Sequence, residues 1–177
     1  MNKRIIAAVR GNEELADAVK SNAWMIFLLN PNIEDLKDQA ELVHKAEKKF
    51  FIHLDLAEGI GKDEYGIRFV KKAGVDGIIS TRTNIIKMAC KLGVCTVQRF
   101  FIVDSHSVDT SIEAAKQSKA DMIEIMPGTV AKVIKRMKQD LDVPIIAGGL
   151  VETEQEINEA ISCGAAAISI GKKEFWE

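Results

Sequence analysis

Cysteine is scarce in this chain: Cys90, Cys95 and Cys163 are the whole set. Their odd number and irregular spacing argue against a disulfide framework and point to a reducing, cytoplasmic setting. Cys90 falls in a helical stretch and Cys95 in a strand, where both read as small buried hydrophobes. No Cys/His cluster has metal-ligand spacing, so no metal site is expected. Nothing approaches the roughly 20 apolar residues of a membrane span. The N-terminal run looks briefly like a secretion signal, but Arg10 cuts it to Ile5–Val9, and no membrane partner is expected. Strong charge of either sign is also missing. With a net charge of −2 the whole surface has no attraction for nucleic acid, no DNA partner is expected, and any RNA contact has to come from a local patch. No linker, low-complexity segment or shift in composition divides the chain, so one domain over residues 1–177 is expected.

What the chain does have is a repeating pattern. Eight apolar segments read as strands: Ile5–Val9, Trp24–Leu29, Phe50–Asp55, Asp76–Ser80, Val94–Phe101, Asp121–Met126, Val143–Ala147 and Ala165–Ile170. Their starts lie about 18 to 27 residues apart, the room needed for a strand, a short helix and two loops. Helical patterns fill the gaps. The first is short, Glu13–Lys20. Asn32 is placed to cap a helix through Leu36, Ala40, Val43 and Ala46, and Asp109 or Thr110 to open another over Ile112 and Ala115. Val130, Val133, Ile134, Met137 and Leu141 keep a 3.6-residue period, and Glu154–Ile161 forms the seventh helix. After Gly171 only a turn or two of helix fits. Strict alternation of this kind predicts a parallel sheet, and eight units predict closure. The expected fold is a compact TIM-type (β/α)8 barrel with a very short last helix. An open doubly wound sheet would want a glycine-rich loop after its first strand, where the chain has only Arg10-Gly-Asn12. An echo between Ala73–Thr81 and Cys163–Gly171 is compatible with half-barrel repetition, and equally with glycine caps before two strands.

The last third carries the chemistry. Pro144-Ile-Ile-Ala-Gly-Gly-Leu-Val151 and Cys163-Gly-Ala-Ala-Ala-Ile-Ser-Ile-Gly171 each read as a buried strand ending in glycine. In a parallel barrel the loops after strands 7 and 8 are where backbone N–H groups gather round a phosphate, and a side chain there would hold the anion away. Gly148, Gly149, Ser169 and Gly171, with Lys172, are therefore the candidate phosphate site; the plainer reading is that the glycines only make tight turns. Barrel sites open at the strand C-termini, so His53, Asp55, Arg82, Arg99 and Glu124 are expected at the same mouth, as polyol-contacting or mouth-lining residues. His53 and Asp55 could instead bond one another. Glu124, flanked by apolar residues, needs a partner when buried, either Arg82 or Arg99 or a polyol hydroxyl.

Arg10, Lys62, Arg82, Arg99, Lys172 and Lys173 would give the rim a cationic character suited to a phosphorylated ligand or a nucleic-acid backbone. Lys132, Lys135, Arg136 and Lys138 lie largely opposite a helix's apolar stripe and read first as a solvated face. Phe100-Phe101 and Phe175-Trp176 read as core. No lysine lies within a predicted strand, which disfavours Schiff-base catalysis. The set His53, Asp55 and Glu124 leaves a phosphosugar isomerase or epimerase as the alternative function.

His53-Leu-Asp-Leu-Ala-Glu-Gly-Ile60, Asp76-Gly-Ile-Ile-Ser-Thr-Arg82, Gln98-Arg-Phe-Phe-Ile-Val-Asp-Ser105, Glu124-Ile-Met-Pro-Gly128 and Pro144-Ile-Ile-Ala-Gly-Gly-Leu150 together resemble the bacterial glycerol uptake operon antiterminator family. The likeness runs in order along nearly the whole chain. It implies a cytoplasmic, non-enzymatic regulator without cofactor, whose effector is glycerol 3-phosphate and whose partner is the leader RNA of glycerol-utilisation transcripts. It further implies phosphate contacts at Gly148, Gly149, Ser169 and Gly171, with His53, Asp55, Glu124, Arg82 and Arg99 lining the same mouth. RNA contacts are expected at the rim, Arg82 and Arg99 above all, because only the rim can sense the ligand directly. A homo-oligomer is compatible with it. His106 departs from the family pattern, which has an apolar or small residue there.

Overall fold

Apolar runs of four to seven residues, each too short for a helix to bury, settle as strands: β1 Ile5–Val9, β2 Met25–Leu28, β3 Lys49–His53, β4 Gly77–Ser80, β5 Cys95–Phe101, β6 Met122–Met126, β7 Ile145–Gly148 and β8 Ala167–Ile170. The computed structural model describes residues 5–177. Every neighbouring pair is parallel, and β8 closes on β1, so the strands form a closed barrel in sequence order. Between them run α1 Asn12–Ala18, α2 Leu36–Lys45, α3 Glu64–Lys72, α4 Thr83–Lys91, α5 Ser105–Ser118, α6 Ala131–Asp140 and α7 Glu154–Ser162. A 3-10 turn, Lys173–Phe175, replaces an eighth helix, and the fold is the TIM-type barrel expected.

Side chains alternate along each strand, which divides the core in two. Ile6, Met25, Phe27, Phe51, Ile79, Val97, Ile146 and Ala167 fill the barrel interior. The larger cluster joins the outward strand residues to the inner faces of the helices. The interior is tight. Phe27 and Phe51 have ring centroids 5.7 Å apart, and a Cβ on Gly77 would come within 2.3 Å of the Phe51 ring.

Several local expectations need correction. β3 ends at His53, and Leu54–Leu56 forms a 3-10 turn, so Asp55 is not a strand residue. The same strand begins at Lys49, a lysine inside a strand, but one exposed at the barrel end opposite the mouth. α5 opens a turn earlier than Asp109: Asp104 and Ser107 form a capping box, each side chain bonding the other's backbone N–H. Asn32 does not cap α2. Its Oδ1 accepts from Asp35 N at 2.9 Å, and the helix starts only at Leu36. Trp176 is buried and donates to Ile170 O, as a core residue should, whereas Phe101 is exposed.

Candidate functional site

Continuing the inward alternation upward by two residues places His53 above Phe51, Arg99 above Val97, Gly148 above Ile146 and Ser169 above Ala167, with Glu124 above Met122. Most of the predicted mouth residues thus share one interior layer. Arg99 and Glu124 are register partners on β5 and β6 and form a salt bridge of 2.7 Å, with side chains 6% and 0% exposed. The pair uses one bond, Arg99 Nε to Glu124 Oε2. Arg99 Nη2, Glu124 Oε1 and His53 Nδ1 are buried without a hydrogen-bond partner. Leaving such a group unpaired costs about 1–3 kcal/mol, a penalty that calls for a reason. Burial, followed by the Arg99 charge, pushes the His53 pKa down to about 4, against a smaller opposing pull from Asp55. His53 is therefore neutral at neutral pH.

Above this layer a cavity of about 350 Å³ opens on the β7–β8–β1 side of the mouth. Gly149 and Leu150 line it from the loop after β7, Gly171 and Lys172 from the loop after β8, and Arg10 from the loop after β1, with Ser169 and Arg99 toward the interior. Among the described residues, the backbone N–H groups of Gly149, Leu150 and Gly171 donate to no acceptor. Gly149 has φ +72 and Leu150, 71% exposed, φ +57. A left-handed non-glycine residue costs on the order of 1 kcal/mol or more, and such strain concentrates at ligand clamps. A Cβ on Gly171 would meet only Ala8 O, at 3.5 Å, so packing does not demand glycine there. Its bareness leaves the backbone open to the cavity.

Gly148 has a different reason to be glycine. It does not line the cavity, and a Cβ there would sit 2.4 Å from Glu124 Oε1. Its missing side chain makes room for the buried carboxylate, and it stands apart from the cavity lining in which it was expected. Gly128 is just as constrained: a Cβ would come within 2.7 Å of Gly148 N, and its own N–H donates to Gly149 O at 3.0 Å. That bond ties the loop after β6 to the glycine turn, a role the sequence motif gave no means of seeing.

The opposite side of the mouth is closed. Asp55 accepts from Ser80 Oγ at 2.7 Å, Thr81 N at 2.8 Å and Thr81 Oγ1 at 2.9 Å. Burial raises its pKa, but these bonds outweigh burial and leave it below the usual carboxylate value. No Asp55–His53 hydrogen bond forms. Arg82 lies 3.9 Å from Asp55 with an exposed side chain; it neither reaches Glu124 nor lines the cavity. The cationic rim shrinks accordingly: Lys62 donates to Ala57 O and Ile60 O, and Lys173 pairs with Asp17. Lys172 stays at the cavity, 3.7 Å from Glu152 Oε2, and Arg10 is held through its backbone N–H on Glu14. Gln98 faces the helices and bonds Thr83 on α4. Leu150, in the loop after β7, and Met126, at the end of β6, also line the cavity and went unforeseen, since apolar residues carry no chemical mark. Among the described residues, no group of three or more His, Cys, Asp or Glu could hold a metal ion, and no helix is long and apolar enough to cross a membrane.

Comparison with known proteins places this barrel. Residues 5–176 match the family described as "Glycerol-3-phosphate responsive antiterminator". The uncharacterized protein YgcP of Escherichia coli K12 is 38% identical over 173 residues, 97% of this chain and 91% of YgcP. The crystal structure of the glycerol uptake operon antiterminator regulatory protein from Listeria monocytogenes superposes with a TM-score of 0.92 at 31% identity, covering 99% of this chain and 96% of that one. A glycerol uptake operon antiterminator-related protein from Thermotoga maritima gives 0.88 at 35% identity, covering 99% of each. The chain belongs to the glycerol-3-phosphate responsive antiterminator family.

Proposed function

We propose that this protein binds glycerol 3-phosphate in the cavity between the β7, β8 and β1 loops and, in that state, binds the leader RNA of glycerol-utilisation transcripts and prevents termination. The observation that carries the ligand half is the set of undonated N–H groups at Gly149, Leu150 and Gly171, facing one cavity beside Arg10 and Lys172. Amides without acceptors and nearby cations are what a phosphate dianion requires. Ser169 adds a hydroxyl. The family supports the RNA half. Arg99 is 5% exposed, which puts it out of reach of a nucleic-acid backbone and leaves the exposed Arg82 as the rim contact. Acting on nascent transcripts, the protein would work in the cytoplasm.

The deciding experiment is titration of leader RNA with and without glycerol 3-phosphate at two salt concentrations. Each ligand should tighten the other's binding by the same factor, typically about 5- to 150-fold, and RNA affinity should fall as salt rises. No dependence of RNA affinity on the ligand removes the reading. The isomerase or epimerase alternative draws on His53 and Glu124, whose unpaired atoms lie below the cavity. It is weakened because Asp55 is fully engaged by Ser80 and Thr81. Turnover of a phosphosugar would restore it.

A further inference from the structure

The unpaired atoms of the Arg99–Glu124 pair are the least explained feature of the molecule. A guanidinium commonly grips a carboxylate with two parallel bonds, and a side-on pair through Nε and Nη2 would satisfy both partners. Here one bond forms, at 2.7 Å, and Glu124 Oε1 turns toward the space that Gly148 leaves free. The pair leaves over one donor, Nη2, and one acceptor, Oε1, in a buried layer where His53 Nδ1 is also without a partner. Arg99 lines the cavity and Glu124 lies behind it.

We propose that Arg99 and Glu124 form a hydroxyl-reading subsite below the cavity, which selects phosphate esters bearing an alcohol over those bearing a carbonyl at the same place. The inference rests on the cavity being the phosphate site and adds what it recognises beyond phosphate. A hydroxyl donates one hydrogen bond and accepts others, so a single O–H can serve Oε1 and Nη2 together. A carbonyl accepts only. It can serve Nη2 but sets its lone pairs against the carboxylate. A site with buried groups awaiting a hydroxyl rejects a ligand without one far better than an apolar pocket can, because those groups then stay unpaired. Both atoms are closed to solvent, so a ligand meets them by pushing the Arg99 guanidinium aside within its place in the cavity wall.

The test is calorimetric titration of the whole chain with glycerol 3-phosphate, dihydroxyacetone phosphate, the two propanediol phosphates that each lack one hydroxyl, and inorganic phosphate. Glycerol 3-phosphate should bind the wild type at least tenfold more tightly than dihydroxyacetone phosphate and than one of the propanediol esters. Glu124→Gln offers an amide N–H to a carbonyl, so the alcohol-to-ketone ratio should shrink or reverse, which a purely structural role would not produce. If that variant does not fold by circular dichroism, the wild-type series decides alone. Alcohol, ketone and deoxy esters bound within threefold of one another by the wild type would overturn the subsite while keeping the phosphate site. Failure of inorganic phosphate and every ester to bind would instead remove the phosphate site and the subsite with it.

Discussion

The two sides of the barrel mouth treat their polar groups in opposite ways. On the β3–β4 side Asp55 receives three hydrogen bonds from Ser80 and Thr81, and the loops are braced against each other. On the β7–β8 side the N–H groups of Gly149, Leu150 and Gly171 are without acceptors among the described residues, and two consecutive residues hold left-handed backbone. Satisfied polar groups brace the scaffold, whereas backbone N–H groups left open beside a cavity are available to an anion. The contrast separates residues that a sequence motif groups together.

The sharpest way to break this comparison is to load the open side. Gly149→Asp adds a carboxylate beside the amides, on a residue whose φ of +72 already disfavours a side chain. It should weaken glycerol 3-phosphate binding at least a thousandfold, about 4 kcal/mol, in calorimetry; a folded variant with unchanged affinity would show that the turn is not the site.

The next largest effect tests the layer beneath. His53 has its pKa lowered from 6.5 to about 4 in the folded protein. Between those values the unfolded chain binds the extra proton, so the His53 contribution to stability should fall as pH drops from about 6.5 to about 4, by about 3 kcal/mol in total; below that, carboxylates with lowered pKa, Asp55 among them, continue the loss. Urea unfolding at several pH values measures this, and His53→Gln should remove the slope in that window. A wild type equally stable at pH 7 and pH 4.5 would contradict the burial of a neutral ring.

Asp55→Ala probes the closed side. Losing the acceptor for three donors should cost about 2 kcal/mol of unfolding free energy while leaving ligand affinity within a few-fold. A large loss of affinity with little loss of stability would reverse the roles assigned to the two sides. The smallest effect belongs to Arg82→Ala. An exposed pair at 3.9 Å adds little stability, under about 1 kcal/mol. Its loss should leave ligand binding alone but weaken RNA binding a few-fold and lower the salt slope by about 1.

Much of this was readable beforehand, for particular reasons. β1 matched its expected span, and β8 its expected end, because an apolar run bounded by polar or glycine residues is a local signal. Gly149 and Gly171 were legible as a pair because they follow buried strands at the end of a repeating pattern. Gly148 was read alongside them, yet its requirement comes from a carboxylate on a neighbouring strand. Asp55 was read as continuing the alternation of His53, but the 3-10 turn after His53 ends that alternation. Arg99 is expected at the mouth and as an RNA contact; it lines the cavity, but its side chain is buried, and burial of a long side chain is invisible in a linear pattern.

The sequence by itself determined the eight strands, their alternation with helices and their parallel closure, because these follow from period and spacing along the chain. Only the tertiary structure decided which polar residue meets which. Pairing of neighbouring strands brings Arg99 against Glu124 across 25 residues and sets Glu124 under Gly148, and the turn after β3 brings Asp55 to Ser80. Such partnerships depend on the register between strands and on how closely their backbones approach, and neither quantity is written in the order of residues along a single strand.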